Sequence, residues 1–352
     1  LYPNFKILSK EAKADLKSRI AESIAFEKQR ARRKKLRTIS WSVAAVFCVF
    51  LGLVVTFKQE PQKITISTIE QFANSTKTTG AFEKSNQVKL VLSNQETVAV
   101  ADSTTIAYNT LGNKISVNNK QIDQKNALET QFNTVLVPYG KRAHLSLADG
   151  TLVWLNSGSK LIYPTAFNTQ SREVFLEGEG VFDVAHNAAK PFFVRAANNY
   201  SVRVLGTLFN VSCYTGDAKV STALLRGKVR VAYAKKGFFG NDTIQTVLNP
   251  GMIAALDLKK QTIQTSKQDV EPLFSWTKGY YEFSQQKLPL VLDKLTRYYN
   301  VTFVINGEVN QKETYSGAFK LNDDLEKVIK TLEATIGLEL DYDAKTRKIT
   351  IN

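Results

Sequence analysis

Cysteine, histidine and methionine are scarce in this 352-residue chain, which holds two, two and one of them. Cys48 falls in an uncharged apolar run and Cys213 in a distant strand-like stretch. The two are not expected to pair, so no disulfide framework organises the fold. His144 and His186 lie in separate strand-like segments with no cysteine or carboxylate at metal-ligand spacing, so no metal site is expected. His144 reads as a surface or edge position of an alternating strand. Gly178-Glu179-Gly180 and Arg226-Gly227-Lys228 read as turns, too short for a phosphate loop. No catalytic constellation stands out, and neither enzymatic turnover nor a cofactor is expected.

What is present is organised around residues 38–57, TISWSVAAVFCVFLGLVVTF, which carry no charge. A helix of that length crosses a bilayer core of about 30 Å, which needs roughly 20 apolar residues. A buried core helix would show a polar stripe, and a secretory signal has a shorter apolar run followed by a cleavage site. Arg32, Arg33, Lys34, Lys35 and Arg37 precede the run and predict that residues 1–37 stay in the cytoplasm and residues 58–352 lie outside. The formal charge of +15 is concentrated accordingly: residues 1–37 carry +8 and the other 315 residues +7. Membrane topology and contact with anionic lipid explain the basic run without a nucleic-acid partner. The chain begins at Leu1 and its only methionine is Met252, so its natural start is expected upstream.

Residues 1–29 read as an amphipathic helix capped by Ser9, with Ala12, Leu16, Ile20 and Ile24 on one face. A lone helix of this kind is marginal in water, so that face is expected to meet a protein partner. Residues 58–86 are polar and read as a linker, with a short helix near Ile69–Phe72. From residue 87 to 265 the hydrophobic period is two, broken by turns such as Ala148-Asp149-Gly150, which predicts an all-β region of stacked or rolled short strands. A 21-residue unit starting at Val88 recurs at Ala143, an offset of 55, so that Leu90, Leu92, Val98, Val100, Ile106 and Tyr108 fall on Leu145, Leu147, Val153, Leu155, Leu161 and Tyr163. Residues 272–352 change texture to βαβ–βαβ(β), a small α+β domain of two similar halves, with Leu288, Val291, Leu292 and Leu295 inward and Asp323 or Asp324 starting the second helix. Tyr280, Tyr281, Phe283, Tyr298 and Tyr299 are a candidate interaction surface, some of them core.

Five ordered motifs run through the β region: VPYGKRAHLSLADGTLVWLNSGSKLIYP from Val137, REVFLEGEGVFDVAH from Arg172 with the following KPFFV, VRVLGTLFNV from Val202, LLRGKVRV from Leu224 and LNPGM from Leu248. Together they resemble the FecR family of membrane-spanning sigma-factor regulators. The block from Trp276 resembles the domain that follows FecR in Bacteroidetes members (DUF4974), itself similar to the secretin-and-TonB N-terminal (STN) domain. The resemblance implies a single-pass inner-membrane protein whose cytoplasmic part binds an extracytoplasmic-function sigma factor as an anti-sigma factor. It implies a periplasmic part that binds the signalling domain of a TonB-dependent outer-membrane transporter, and cleavage by envelope proteases on signalling. The apolar face of Leu16, Ile20 and Ile24 is then the candidate sigma contact, in a segment shorter than the family's usual sigma-binding domain. Some relatives cleave themselves at a Gly-Thr bond, which puts Gly206-Thr207 forward; the alternative for that pair is a strand bend with Thr207 packed inside. A membrane-anchored structural or glycan-binding protein is the rival reading, although the β region holds a single tryptophan, Trp154.

Overall fold

A computed structural model describes residues 17, 68–76, 86–124, 131–167, 170–197, 199–237, 240–306 and 313–352. The apolar run 38–57, the sigma-contact candidates Leu16, Ile20 and Ile24, and the basic residues Arg32, Arg33, Lys34, Lys35 and Arg37 lie outside them. Among the described residues no helix is long and apolar enough to cross a membrane. Those from Thr68 onward belong to one compact unit.

The unit opens with α1 (Thr68–Ser75), inside the stretch read as a linker. Its Ile69 and Ala73 pack on Phe132, Ile162 and Phe175, and Phe72 sits 4.9 Å from the Phe132 ring. The period of two then yields β1 (Val88–Val91), β2 (Thr97–Val100), β3 (Thr105–Tyr108), β4 (Lys114–Val117), β5 (Lys120–Asp123), β6 (Phe132–Val137), β7 (Ala143–Ser146), β8 (Leu152–Leu155) and β9 (Ser159–Pro164). It continues through β10 (Arg172–Asp183), β11 (Phe192–Ala196), β12 (Tyr200–Val204), β13 (Leu208–Cys213), β14 (Lys219–Arg226), β15 (Val229–Gly237), β16 (Gly240–Leu248), β17 (Met252–Asp257) and β18 (Thr262–Lys267).

These strands make two layers over one core. The first runs β2-β1-β6-β9-β10-β11-β12-β15-β16. The second runs β5-β4-β3-β7-β8-β10-β13-β14-β17-β18. Leu90, Val135, Leu161 and Val231 from one layer and Ile106, Leu145, Phe209 and Leu224 from the other share that core with no exposed surface. Alternation buries one face of each strand, which is what the period of two requires.

β10 belongs to both layers. Its first half pairs with β9 as far as Glu177, and from Gly178 it pairs with β13 in the opposite layer. Gly178 has φ of 100°, and a Cβ there would lie 2.6 Å from Ser159 Cα. The glycine that reads as a turn in sequence is therefore a mid-strand bend, because only a residue without Cβ can redirect the strand there.

The repeat is visible atom by atom. Leu92 and Leu147 each accept a bond from the third residue on and donate to the fourth, closing equivalent turns. Asn94 Oδ1 accepts from Glu96 N–H as Asp149 Oδ1 accepts from Thr151 N–H, both at 3.0 Å. Gln95 takes φ of 69° where Gly150 takes 83°. The two copies meet at their ends, where the Tyr108 and Tyr163 hydroxyls lie 2.7 Å apart. Arg172 anchors the second copy, its Nη1 2.7 Å from Asp149 Oδ2.

A 3₁₀ helix (Glu271–Lys278) leads into the C-terminal region: β19 (Tyr280–Lys287), α2 (Leu288–Tyr299), β20 (Thr302–Ile305), β21 (Thr314–Lys320), α3 (Leu325–Ile336), β22 (Leu340–Asp343) and β23 (Lys348–Ile351). Asp324 caps α3, accepting from Lys327 N–H at 2.7 Å, and Gly337 ends it in the left-handed region. The halves interlock. Their first strands, β19 and β21, pair antiparallel; β23 joins β20 in parallel and β22 antiparallel. Tyr281 and Phe283 are core. Tyr298 and Tyr299 contact each other edge-to-face and bond backbone carbonyls near α3, while Tyr280 stays half-buried at the start of β19.

Candidate functional site

The C-terminal region sits on the outer face of the second layer. Val181 of β10 and Ala223 of β14 join Phe274, Trp276, Leu288, Val291, Leu292 and Leu295 in a second apolar cluster, with Trp154, Leu208, Leu225 and Ile253 packed against it. Burying apolar surface on both sides of a seam makes the two regions move together unless something opens it.

Glu179 lies inside this seam, aimed by the Gly178 bend and 3% exposed. Its carboxylate accepts Nδ2–H bonds from Asn156 at 2.9 Å and Asn210 at 3.0 Å, and Lys294 Nζ of α2 lies 4.0 Å away. Asn210 also donates to the Leu273 carbonyl at 3.2 Å, so one amide holds the carboxylate and the 3₁₀ helix together. Burial alone would lower the Lys294 ammonium, but Glu179 and Tyr281 outweigh it and raise it above its ordinary value. The ammonium lies 4.9 Å from the Tyr281 ring centre. A charge here is tolerable only because it is paired and hydrogen-bonded.

Two arginines bridge the same seam. Arg297 of α2 bonds Asp217 and stacks 4.0 Å over the Tyr214 ring, while its carbonyl accepts from Gly140 N–H at 3.2 Å. Burial raises the Asp217 carboxyl above its ordinary value despite the Arg297 charge. Arg142 donates from Nη1 to the Trp276 carbonyl at 2.9 Å and faces the Tyr298 ring. Asn156, Glu179, Tyr214, Trp276, Lys294 and Arg297 surround a cavity of about 20 Å³, room for one water. The chemistry of this site is that of a latch in the structural sense, with paired charges and amides holding two packed bodies together. Sequence reading passed over Glu179. The available signal was a carboxylate between two glycines inside a strand-like run, which suits a buried, partnered charge as well as a turn.

Gly206-Thr207 lies elsewhere, at the bend between β12 and β13. A Cβ on Gly206 would meet the backbone of His186 at 2.7 Å, so space rather than backbone angle demands glycine. Thr207 is buried and its hydroxyl donates to the Lys228 carbonyl at 3.2 Å. That bond occupies the hydroxyl in packing and favours the bend over attack on the preceding carbonyl. His144 is half-buried on a strand that pairs on both sides, with β3 and β8, so of the surface and edge positions expected for it the edge is excluded; its ring stacks on Trp154, ring centres 4.8 Å apart. Cys213 is free, and burial pushes its thiol up from the ordinary value. No group that could hold a metal ion occurs among the described residues.

Residues 133–230 match the family profile of the FecR protein, and residues 280–351 that of the FecR C-terminal region. Two crystal structures of a candidate anti-sigma factor from Parabacteroides distasonis ATCC 8503 are similar at 27% identity. Each covers 62% of this chain and 98% of the solved chain, with TM-scores of 0.54 and 0.53. No curated protein matches. Both FecR profiles fall in order on the two regions that the seam joins, and together with the structural likeness they support a FecR-family regulator.

Proposed function

We propose that this protein regulates an extracytoplasmic-function sigma factor from the inner membrane, as an anti-sigma factor anchored by residues 38–57. The observation that carries the reading is the ordered match of both FecR profiles, supported by the likeness to a candidate anti-sigma factor. Residues 1–37 face the cytoplasm, oriented by Arg32, Arg33, Lys34, Lys35 and Arg37, and offer Leu16, Ile20 and Ile24 to the sigma factor. Residues 58–86 link the membrane to the periplasmic FecR-like domain, 87–265, and the STN-like domain, 272–352. The input is the signalling domain of a TonB-dependent transporter, and envelope proteases complete the release. Its work is binding and relay, and the Glu179 latch suits that work because a partner that competes for the seam changes how two bodies are held.

Retention of the host's extracytoplasmic-function sigma factors on the immobilised full chain tests this. One sigma factor is expected to bind, and Leu16→Asp with Ile20→Asp is expected to abolish retention. No bound sigma factor, or binding indifferent to both substitutions, counts against it. For Gly206-Thr207 the expectation is an intact chain by mass spectrometry, unchanged in Thr207→Ala; a fragment beginning at Thr207 would reinstate self-cleavage.

A further inference from the structure

A second cavity opens along the seam beside the latch. It measures about 310 Å³, and its wall includes Ser103, Arg142, His144, Trp154, Trp276 and Lys278. Four buried side-chain polar atoms among the described residues have no hydrogen-bond partner. Three of them, Arg142 Nε, His144 Nε2 and Trp276 Nε1, belong to residues of this one wall. Folded proteins leave few such atoms, so three on the residues of one wall mark it as a place where a small side-chain shift would bring them a partner. Trp276 is 2% exposed and borders both this cavity and the small one beside Glu179.

The chemistry of the three atoms sets the ligand. Arg142 Nε and the indole nitrogen can only donate. His144 Nδ1 lies 3.1 Å from the Thr105 hydroxyl; when that hydroxyl donates to Nδ1, Nε2 carries the proton and is a third donor. Burial lowers the His144 pKa, so the imidazole is neutral and Arg142 supplies the one positive charge of the trio. Among the described residues no acid lines the cavity, and Asp102 is held by the backbone, its Oδ1 accepting from Arg142 N–H at 2.8 Å. Three donors around one charge fit a monoanionic acceptor, a carboxylate.

The surroundings set what carries it. Through Arg142, Lys278 and Gly279 the cavity runs into a groove of about 650 Å³ that passes Tyr280, Phe319 and Lys320. There it follows β21, whose only strand partner among the described residues is β19. A basic groove beside an unpaired strand edge suits an extended acidic chain.

We propose that Arg142, His144 and Trp276 form a carboxylate pocket that takes a Glu or Asp side chain of an extended acidic peptide, with Lys278 and Lys320 facing its neighbouring acids. The pocket stands apart from the sigma-factor reading, since its occupancy does not depend on what residues 1–37 bind. Arg142 also holds the Trp276 carbonyl, so a ligand on its Nε touches the contact that joins the two regions.

Trp154 and Trp276 both line the cavity and the chain's third tryptophan is Trp41, so indole fluorescence reports occupancy. The full chain is titrated with tetraglutamate, with tetraglutamine and with trigalacturonate, and each affinity is repeated by calorimetry. Tetraglutamate is expected to saturate, and tetraglutamine to bind at least roughly ten-fold more weakly. Trp276→Phe, which keeps an aromatic ring and removes the donor, and Arg142→Gln are each expected to weaken tetraglutamate roughly ten-fold at unchanged far-UV circular dichroism and thermal midpoint. Should Arg142→Gln fail to fold, Trp276→Phe decides alone. Absence of saturation, equal affinity for both peptides, a Trp276→Phe variant that binds like the parent, or trigalacturonate binding as tightly as tetraglutamate overturns the proposal.

Discussion

At the residue scale the controlling fact is that the Glu179 side chain is buried inside a seam and held by two amides and an ammonium. Glu179→Ala strands all three, and urea denaturation is expected to show a loss of about 2–3 kcal/mol. Lys294→Met removes a more exposed partner at longer range, and its loss is expected to stay below about 1 kcal/mol. Equal losses for the two would show that the amides do not hold the carboxylate. Glu177, one residue before the bend, gives a pH signature. Burial would raise its carboxyl, but bonds from Lys160 at 2.6 Å and from Thr215, with the Lys160 charge, carry it below its ordinary value of 4.5. A depressed acid contributes stability above its unfolded pKa and loses it as pH falls through the folded one. The window therefore opens near pH 4.5 and extends below, and Glu177→Gln is expected to flatten the parent's loss of stability there. A variant whose acid limb matches the parent's removes Glu177 from the account.

At the element scale the duplicated strand–turn–strand units explain why short strands suffice: each copy covers core for the other, and Tyr108 meets Tyr163 at their junction. Gln95 occupies a left-handed position that its counterpart Gly150 takes without strain. Gln95→Gly is expected to stabilise the protein by up to about 1 kcal/mol in thermal unfolding, and a destabilised variant would mean the two turns are not equivalent. In the C-terminal region, Leu295→Ala on the buried face of α2 is expected to cost about 2–5 kcal/mol. Much of this level is legible in sequence. The two-residue period gives the strands, the offset of 55 gives the repeat, the four inward leucine and valine positions of α2 are those found, and of the two aspartates expected at the start of α3 it is Asp324 that caps it. What sequence hides is long-range. The switch of β10 between layers depends on Ser159 lying under Gly178, and while a short helix near Ile69–Phe72 is legible, its docking depends on Phe132 to receive Phe72. The glycine of Gly206 answers to His186, twenty residues away. The latch likewise gathers Asn156, Glu179, Asn210 and Lys294 from four separate elements, which no spacing rule connects.

At the scale of the whole molecule, a rigid β body carries a small α+β body through an apolar seam bridged by charge. Arg297 has the most varied contacts of the bridging residues, with Asp217, Tyr214 and Gly140. Arg297→Ala is expected to speed amide exchange in residues 280–351 while leaving the β core protected; uniform loss of protection would mean that the two regions unfold as one. The proposed function gives this arrangement its meaning, because a regulator that relays a signal needs parts whose association can be changed from outside. The most direct test is transcriptional: the gene is deleted in its host and every sigma-dependent promoter is measured with and without re-expression of the full chain. The account predicts that the regulon of one extracytoplasmic-function sigma factor rises on deletion and returns on re-expression. A transcriptome in which no such regulon moves would contradict it.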